Sequence, residues 1–228
     1  MQVHFKMKRK LTKELITEIY QILLTEMGPQ GWWPADSKPE IILGAILVQN
    51  TNWRNVDRSL KNLRQASNFE PAKILQLSSA ALMELIRPSG FYRQKAATIH
   101  NVFKWLDRYQ WNYSKITTQF GTKLRARLLH LNGVGNETAD VFLVYIFDQP
   151  VFIADNYARK LFVYLGYPAA TYQQLQQQIK LPAAFTYQDA QELHGLLDEF
   201  GKNWLKSRAQ FEQSFLAQRL KSIAGNII

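Results

Sequence analysis

The chain has 228 residues, 46% of them hydrophobic, enough to bury the core of one large domain or of two lobes. It contains no cysteine, which excludes disulfides, thiol nucleophiles and thiolate-held metal or iron-sulfur centres. Lys and Arg outnumber Asp and Glu 28 to 18, a formal charge of +10, which favours a polyanionic partner such as nucleic acid, with a membrane surface or plain solubility as the alternatives.

The N-terminal segment 1–10 is basic, but no signal-type apolar core follows before Thr12 and Lys13, and no stretch is long and apolar enough to span a bilayer. A cytoplasmic, nucleoid-associated protein is expected. Residues 12–27 place Leu15, Ile16, Ile19, Tyr20, Leu23 and Leu24 at the spacing of an amphipathic helix, which Gly28 stops. Residues 30–39, with Gly31, Trp32, Trp33, Pro34 and Pro39, are irregular by their punctuation. The run 40–48 is apolar almost all round, as a buried strand or a central helix would be. Its continuation through the polar 49–52 into Val56, Leu60 and Leu63 favours helix, turn, helix.

A short helix is predicted over 75–86, ended by Pro88, Ser89 and Gly90, and another over 94–109. A further helical limb covers 120–130; its Lys123, Arg125 and Arg127, with Arg93 and Lys95 before it, are expected in solvent or against phosphates. Beyond Asp155, helices are predicted over 157–165, 172–179, 188–200 and 203–222. Lys202 is expected on a solvated charged face, and the glutamines of 173–178 on an exposed one. Only 151–154 could be a strand, and it is too short for an independent sheet. The fold class is therefore all-α.

The stretch from Leu129 to Asp155 organises the rest. Gly133 and Gly135 suit a tight turn between two helices, because glycine reaches positive φ without cost. Ala139, Phe142, Leu143 and Ile146 then recur as one buried face, which puts the glycines at a helix N-terminus, where unpaired amides and the dipole attract anions. A lone Gly-x-Gly could equally be a helix C-cap. The whole string, however, resembles the helix-hairpin-helix element, loop and aspartate of the endonuclease III superfamily of DNA glycosylases, with 131–135 as hairpin and Asp155 as the acid.

Two further segments resemble that superfamily in the same order: 43–51, Leu-Gly-Ala-Ile-Leu-Val-Gln-Asn-Thr, and 88–96, Pro-Ser-Gly-Phe-Tyr-Arg-Gln-Lys-Ala. The resemblance implies a six-helix barrel over 39–149 carrying the helix-hairpin-helix at about 123–147. A second helical lobe would form from 1–38 and 150–228, with the active cleft between. It further implies a monomer acting on double-stranded DNA with a damaged base rotated out of the stack. The amides of Gly133, Val134 and Gly135 would hold phosphate, helped by a monovalent ion on the carbonyls of Leu131 and Gly133. Gln49, beside Asn50, would fill the gap left by the extruded nucleotide, or else cap its helix.

Asp155 would stabilise the developing oxocarbenium ion and orient the attacking water, unless it is only a helix N-cap. Members with lyase activity carry a lysine where Glu137 stands, and a carboxylate forms no imine, so a monofunctional, hydrolytic enzyme is implied, with a lyase-competent endonuclease III or a non-catalytic helix-hairpin-helix DNA-binding protein as the alternatives. The acid also suits a helix N-terminus. The cysteine quartet of many relatives is missing, so no iron-sulfur cluster and no other cofactor is expected. Gly31-Trp32-Trp33-Pro34 and Trp53 look closest to the cluster-free 3-methyladenine DNA glycosylases. There, aromatic rings would receive a cationic base by stacking and cation-π attraction; packing is the alternative use of Trp32 and Trp33.

Overall fold

The structure is a computed structural model that describes residues 11–225, so the basic segment 1–10, read above as lacking a signal core, lies outside it. Among the described residues every regular element is helical, and 151–154 is irregular chain, not a strand. The chain divides into two compact units. One is 34–148, and the other joins the described residues up to Trp33 with those from Gln149 onward.

Small polar residues set most helix starts by accepting a hydrogen bond from a first-turn amide. Helix α1 (Lys13–Met27) begins at Thr12 in this way and ends at Gly28, whose φ is +72°. Ser37 caps α2 (Lys38–Leu47) and Asn52 caps α3 (Trp53–Ser67). The single helix expected over 75–86 is two, α4 (Pro71–Gln76) and α5 (Ser79–Leu85), because Ser78 leaves the helical backbone and caps the second. After α6 (Tyr92–Asp107) and α7 (Tyr113–Phe120), the limb expected over 120–130 is broken at Gly121, with φ +48°. A 3-10 turn there separates α7 from α8 (Leu124–Leu129).

Helix α9 (Asn136–Tyr145) completes the first unit. Helices α10 (Asn156–Leu165), α11 (Tyr172–Gln178) and α12 (Tyr187–Trp204) follow. The tail expected as one helix over 203–222 is α13 (Arg208–Glu212) and α14 (Phe215–Gly225). Ser207 and Ser214 start each by accepting from Gln210 N–H and Ala217 N–H.

In the unit 34–148, α2 packs against α3, α6 and α9, which explains a sequence apolar on every side. Its Ile42, Leu43, Ile46 and Leu47 are buried with Ile99, Val102 and Phe103 of α6. Helix α9 is likewise buried all round from Thr138 to Tyr145, rather than along the single face that Ala139, Phe142 and Leu143 suggested. In the other unit, Leu15, Ile19 and Leu23 of α1 share a core with Phe162 of α10, Leu196 and Phe200 of α12 and Leu220 of α14. No helix among the described residues is long and apolar enough to cross a membrane.

Candidate active site

In the unit 34–148 the hairpin joins α8 to α9. Gly133 has φ +86°, and a Cβ there would fall 1.8 Å from Thr98 Oγ1 on α6, so backbone and space both demand glycine. Gly135 differs from the expectation. Its φ of −89° and ψ of −177° suit any residue, and a Cβ would meet nothing within 4 Å. Positive φ therefore explains only the first glycine. Gly135 is the N-cap of α9 and makes no side-chain cap bond to the first-turn amides, which lack helical partners. Val134 is buried, so its side chain anchors the hairpin, and its N–H donates to Leu131 O at 3.0 Å.

Gln49 is half-buried and its Nε2 donates to Thr138 Oγ1 at 2.9 Å and to Gly133 O at 3.3 Å. It ties the turn after α2 to the hairpin instead of capping its own helix. Asn50 beside it is exposed with φ +53°, a conformation asparagine tolerates well. Both carbonyls expected to hold a monovalent ion already accept a protein hydrogen bond: Leu131 O from Val134 N–H, Gly133 O from Gln49. Trp53 opens α3 and is half-buried. Glu137 lies in the first turn of α9, where the dipole favours an acid.

Two charged side chains depart from their expected setting. Arg125 grips the fully buried Asp140 with two bonds, Nε to Oδ1 at 2.6 Å and Nη2 to Oδ2 at 3.0 Å, and also reaches Asn136 Oδ1 at 3.1 Å. It is a strut between α8 and α9 rather than a solvated or phosphate-seeking cation. Lys95 is 3% exposed and donates to Leu47 O at 2.8 Å and Ser89 O at 2.7 Å. It fastens the end of α2 to the turn before α6, and burial pushes its amine down to about 8.

In the other unit, Asp155 is the N-cap of α10. Its Oδ1 accepts from Ala158 N–H at 2.7 Å and the residue is 8% exposed. The cap geometry is thus present. Tyr157 follows two residues on, and its phenol is pushed up by burial and by Asp198, with Lys202 opposing and Asp155 adding. The Tyr157 ring rests on α12 at Gly201, where a Cβ would come within 2.3 Å of it.

The same helix seats Trp32. A Cβ on Gly195 would lie 2.7 Å from the Trp32 Cβ, and Lys202 Nζ stands 5.1 Å from the ring centroid. Lys202 is exposed, on a charged face of its helix. It pairs with Asp198 and Glu199, each at 2.6 Å; burial works against its charge, but these bonds outweigh it and the amine is raised. The Glu192 carboxylate accepts from Gln30 N–H at 2.5 Å and Gly31 N–H at 3.2 Å. Trp33 stands 6.0 Å from Trp32, centroid to centroid. Helix α12 therefore brings Trp32 and the Asp155–Tyr157 corner to one electrostatic neighbourhood. Sequence reasoning passed over Thr98, Asp140 and Glu192. The signals were present for two of them: Asp140 interrupts an apolar run, and glycines inside α12 mark close approach to something beside Glu192.

Chains related to this one share its helical plan. A Methanocaldococcus jannaschii protein bearing the provisional name of a DNA repair glycosylase is 38% identical over 200 residues, covering 86% of this chain and 91% of its own. Endonuclease III of Sulfolobus acidocaldarius is 29% identical over 170 residues, 73% of this chain and 74% of its own. Among solved structures, the 3-methyladenine DNA glycosylase MagIII of H. pylori bound to 1,N6-ethenoadenine matches with a TM-score of 0.69 at 28% identity, over 85% of this chain and 98% of that one. An endonuclease III–DNA complex, at 21% identity and a TM-score of 0.69, shares the fold over 91% of this chain and 94% of that one. The family model for HhH-GPD superfamily base excision DNA repair proteins matches residues 43–184, the span that holds Gln49, the hairpin and Asp155, and this chain belongs to that superfamily of DNA glycosylases.

Proposed function

We propose that the protein is a monofunctional DNA glycosylase that hydrolyses alkylated purines such as 3-methyladenine from double-stranded DNA, with Asp155 as the carboxylate at the sugar. One observation carries the hydrolytic assignment: the first turn of α9 presents Glu137, not lysine, at the position of the lyase nucleophile. The alkylated-purine assignment draws on Trp32 and its setting, and on the likeness to the H. pylori 3-methyladenine enzyme.

N3-methylated adenine carries a positive charge, so its departure needs no proton from an acid. The base leaves with the electron pair of the C1′–N bond and becomes neutral, while positive charge grows on the sugar. A carboxylate at Asp155 stabilises that charge and accepts a proton from the water whose oxygen bonds to C1′. The bond from Ala158 N–H fixes the rotamer, so the second oxygen has a defined direction. Trp32 would receive the base by stacking, at about 0.5–2 kcal/mol for a good cation-π contact. The amides of Gly133 and Gly135 would hold the phosphates as the protein acts, as a monomer, on nucleoid DNA in the cytoplasm.

The test is chromatographic analysis of bases released from methylated DNA by the wild type and by Asp155→Asn, which keeps an oxygen for the cap. Release of 3-methyladenine by the wild type and at least a hundredfold less by the variant, with DNA affinity retained, is expected (about 10²–10⁴ for general-base loss). Equal release by the two proteins removes Asp155 from the mechanism. A borohydride-trapped covalent adduct on abasic DNA would overturn the monofunctional assignment.

A further inference from the structure

The interior of α12 carries two features that a solvent-facing helix has no use for. Glu192 turns its carboxylate to the main chain of 30–31, accepting two N–H groups with separate oxygens at 2.5 and 3.2 Å. Gly195, one turn on, is glycine at the point where any Cβ would strike the Trp32 Cβ at 2.7 Å and crowd Gln30 Cβ at 3.3 Å. Gln30 returns its own side chain to Met27 O and Gly28 O at 3.2 and 2.9 Å, closing the turn on itself. Glycine inside a helix is unfavourable relative to alanine, so its presence here answers to the neighbour, not to the helix.

We infer that Glu192 is a positioning residue for the damaged base: by clamping the amides of Gln30 and Gly31, with Gly195 leaving room, it fixes where the Trp32 ring stands. The inference rests on the reading of Trp32 as a base contact. Three rotatable main-chain links lie between the clamp and the indole, and among the described residues no other side chain grips both amides. A charged acceptor facing two N–H groups makes bonds about twice as strong as neutral ones, and it holds the turn in one register. Glutamine at 192 would turn an NH2 group toward one of those amides and lose that bond, while preserving side-chain volume.

The experiment has an arm that needs no substrate. Acrylamide quenching is measured for the wild type, Glu192→Gln, Gly195→Ala and Trp32→Phe; the Trp32 share is the emission that Trp32→Phe removes. Greater quenching of that share in Glu192→Gln and Gly195→Ala is expected, and an unchanged share overturns the inference. In the second arm, kcat/KM for methylated-base release falls roughly ten- to hundredfold in Glu192→Gln, the scale of a small misplacement. Affinity for undamaged duplex stays the same. In a Trp32→Ala background the Glu192→Gln change adds less than about twofold, because the two act as one unit. Equal losses in both backgrounds overturn the inference. Gly195→Ala, favoured by helix propensity, keeps the test open if Glu192→Gln folds poorly. A wild type that releases no alkylated base refutes the proposed substrate while the quenching arm still decides the positioning.

Discussion

Replacing Arg125 with methionine takes the cation from a carboxylate that water does not reach. The Asp140 side chain is 0% exposed and Arg125 30%, joined at 2.6 Å. Removing one partner of a buried pair costs about 3–5 kcal/mol, chiefly because the other charge stays buried. Partial exposure of the guanidinium weakens the pair in the folded state and places the loss near the lower bound, about 3 kcal/mol. Unfolding of a unit of this size loses roughly 4 °C for each kcal/mol, so the first unit should melt ~12 °C lower. The converse variant, Asp140→Asn, leaves its charge on a side chain that can turn to solvent and should cost only about 1–2 kcal/mol. Arg125→Met with Asp140→Leu, leaving neither charge, should recover much of the single-variant loss. Urea unfolding followed by circular dichroism measures all three. A loss below about 0.5 kcal/mol in Arg125→Met, or a larger loss in Asp140→Asn, would refute the assignment of the pair as a buried strut.

Gly133→Ala combines a left-handed backbone with a methyl group directed into Thr98, and it should cost at least about 3 kcal/mol or fail to fold. Gly135→Ala should melt within about 0.5 kcal/mol of the wild type yet bind duplex DNA less tightly, which fluorescence anisotropy would detect; equal stability losses would show that the second glycine is also structural. Burial lowers His194 to about 4, so the unfolded chain takes up a proton first as pH falls below 6.5. Stability that is full above 6.5 is therefore lost between 6.5 and 4, by up to about 3 kcal/mol, and His194→Gln should flatten that slope. Lys95, lowered to about 8, acts in the other range: the unfolded chain keeps its proton longer, so stability should rise between pH 8 and 10.5. Denaturation midpoints for Lys95→Met across that range should lose the rise.

Much was legible in the order of residues because it follows from local rules. Helix starts at Thr12, Ser37, Asn52 and Asp155 come from side chains that bond an amide three residues away, and the stop at Gly28 comes from backbone freedom. The all-helical class and the hairpin follow from the same spacing, and the string from Leu129 to Asp155 carries its family resemblance without any contact being known. Tertiary structure decided what lies between residues far apart in the chain. Gly133 and Gly135 read alike in sequence; only the approach of Thr98, 35 positions upstream, makes one sterically obligatory and leaves the other open. Arg125 and Lys202 read alike as surface cations; Lys202 is exposed and pairs within its own helix, whereas Arg125 is held by a carboxylate that is wholly buried. A side chain's charge is a property of its own atoms, but whether water or a carboxylate answers that charge depends on which helix packs beside it.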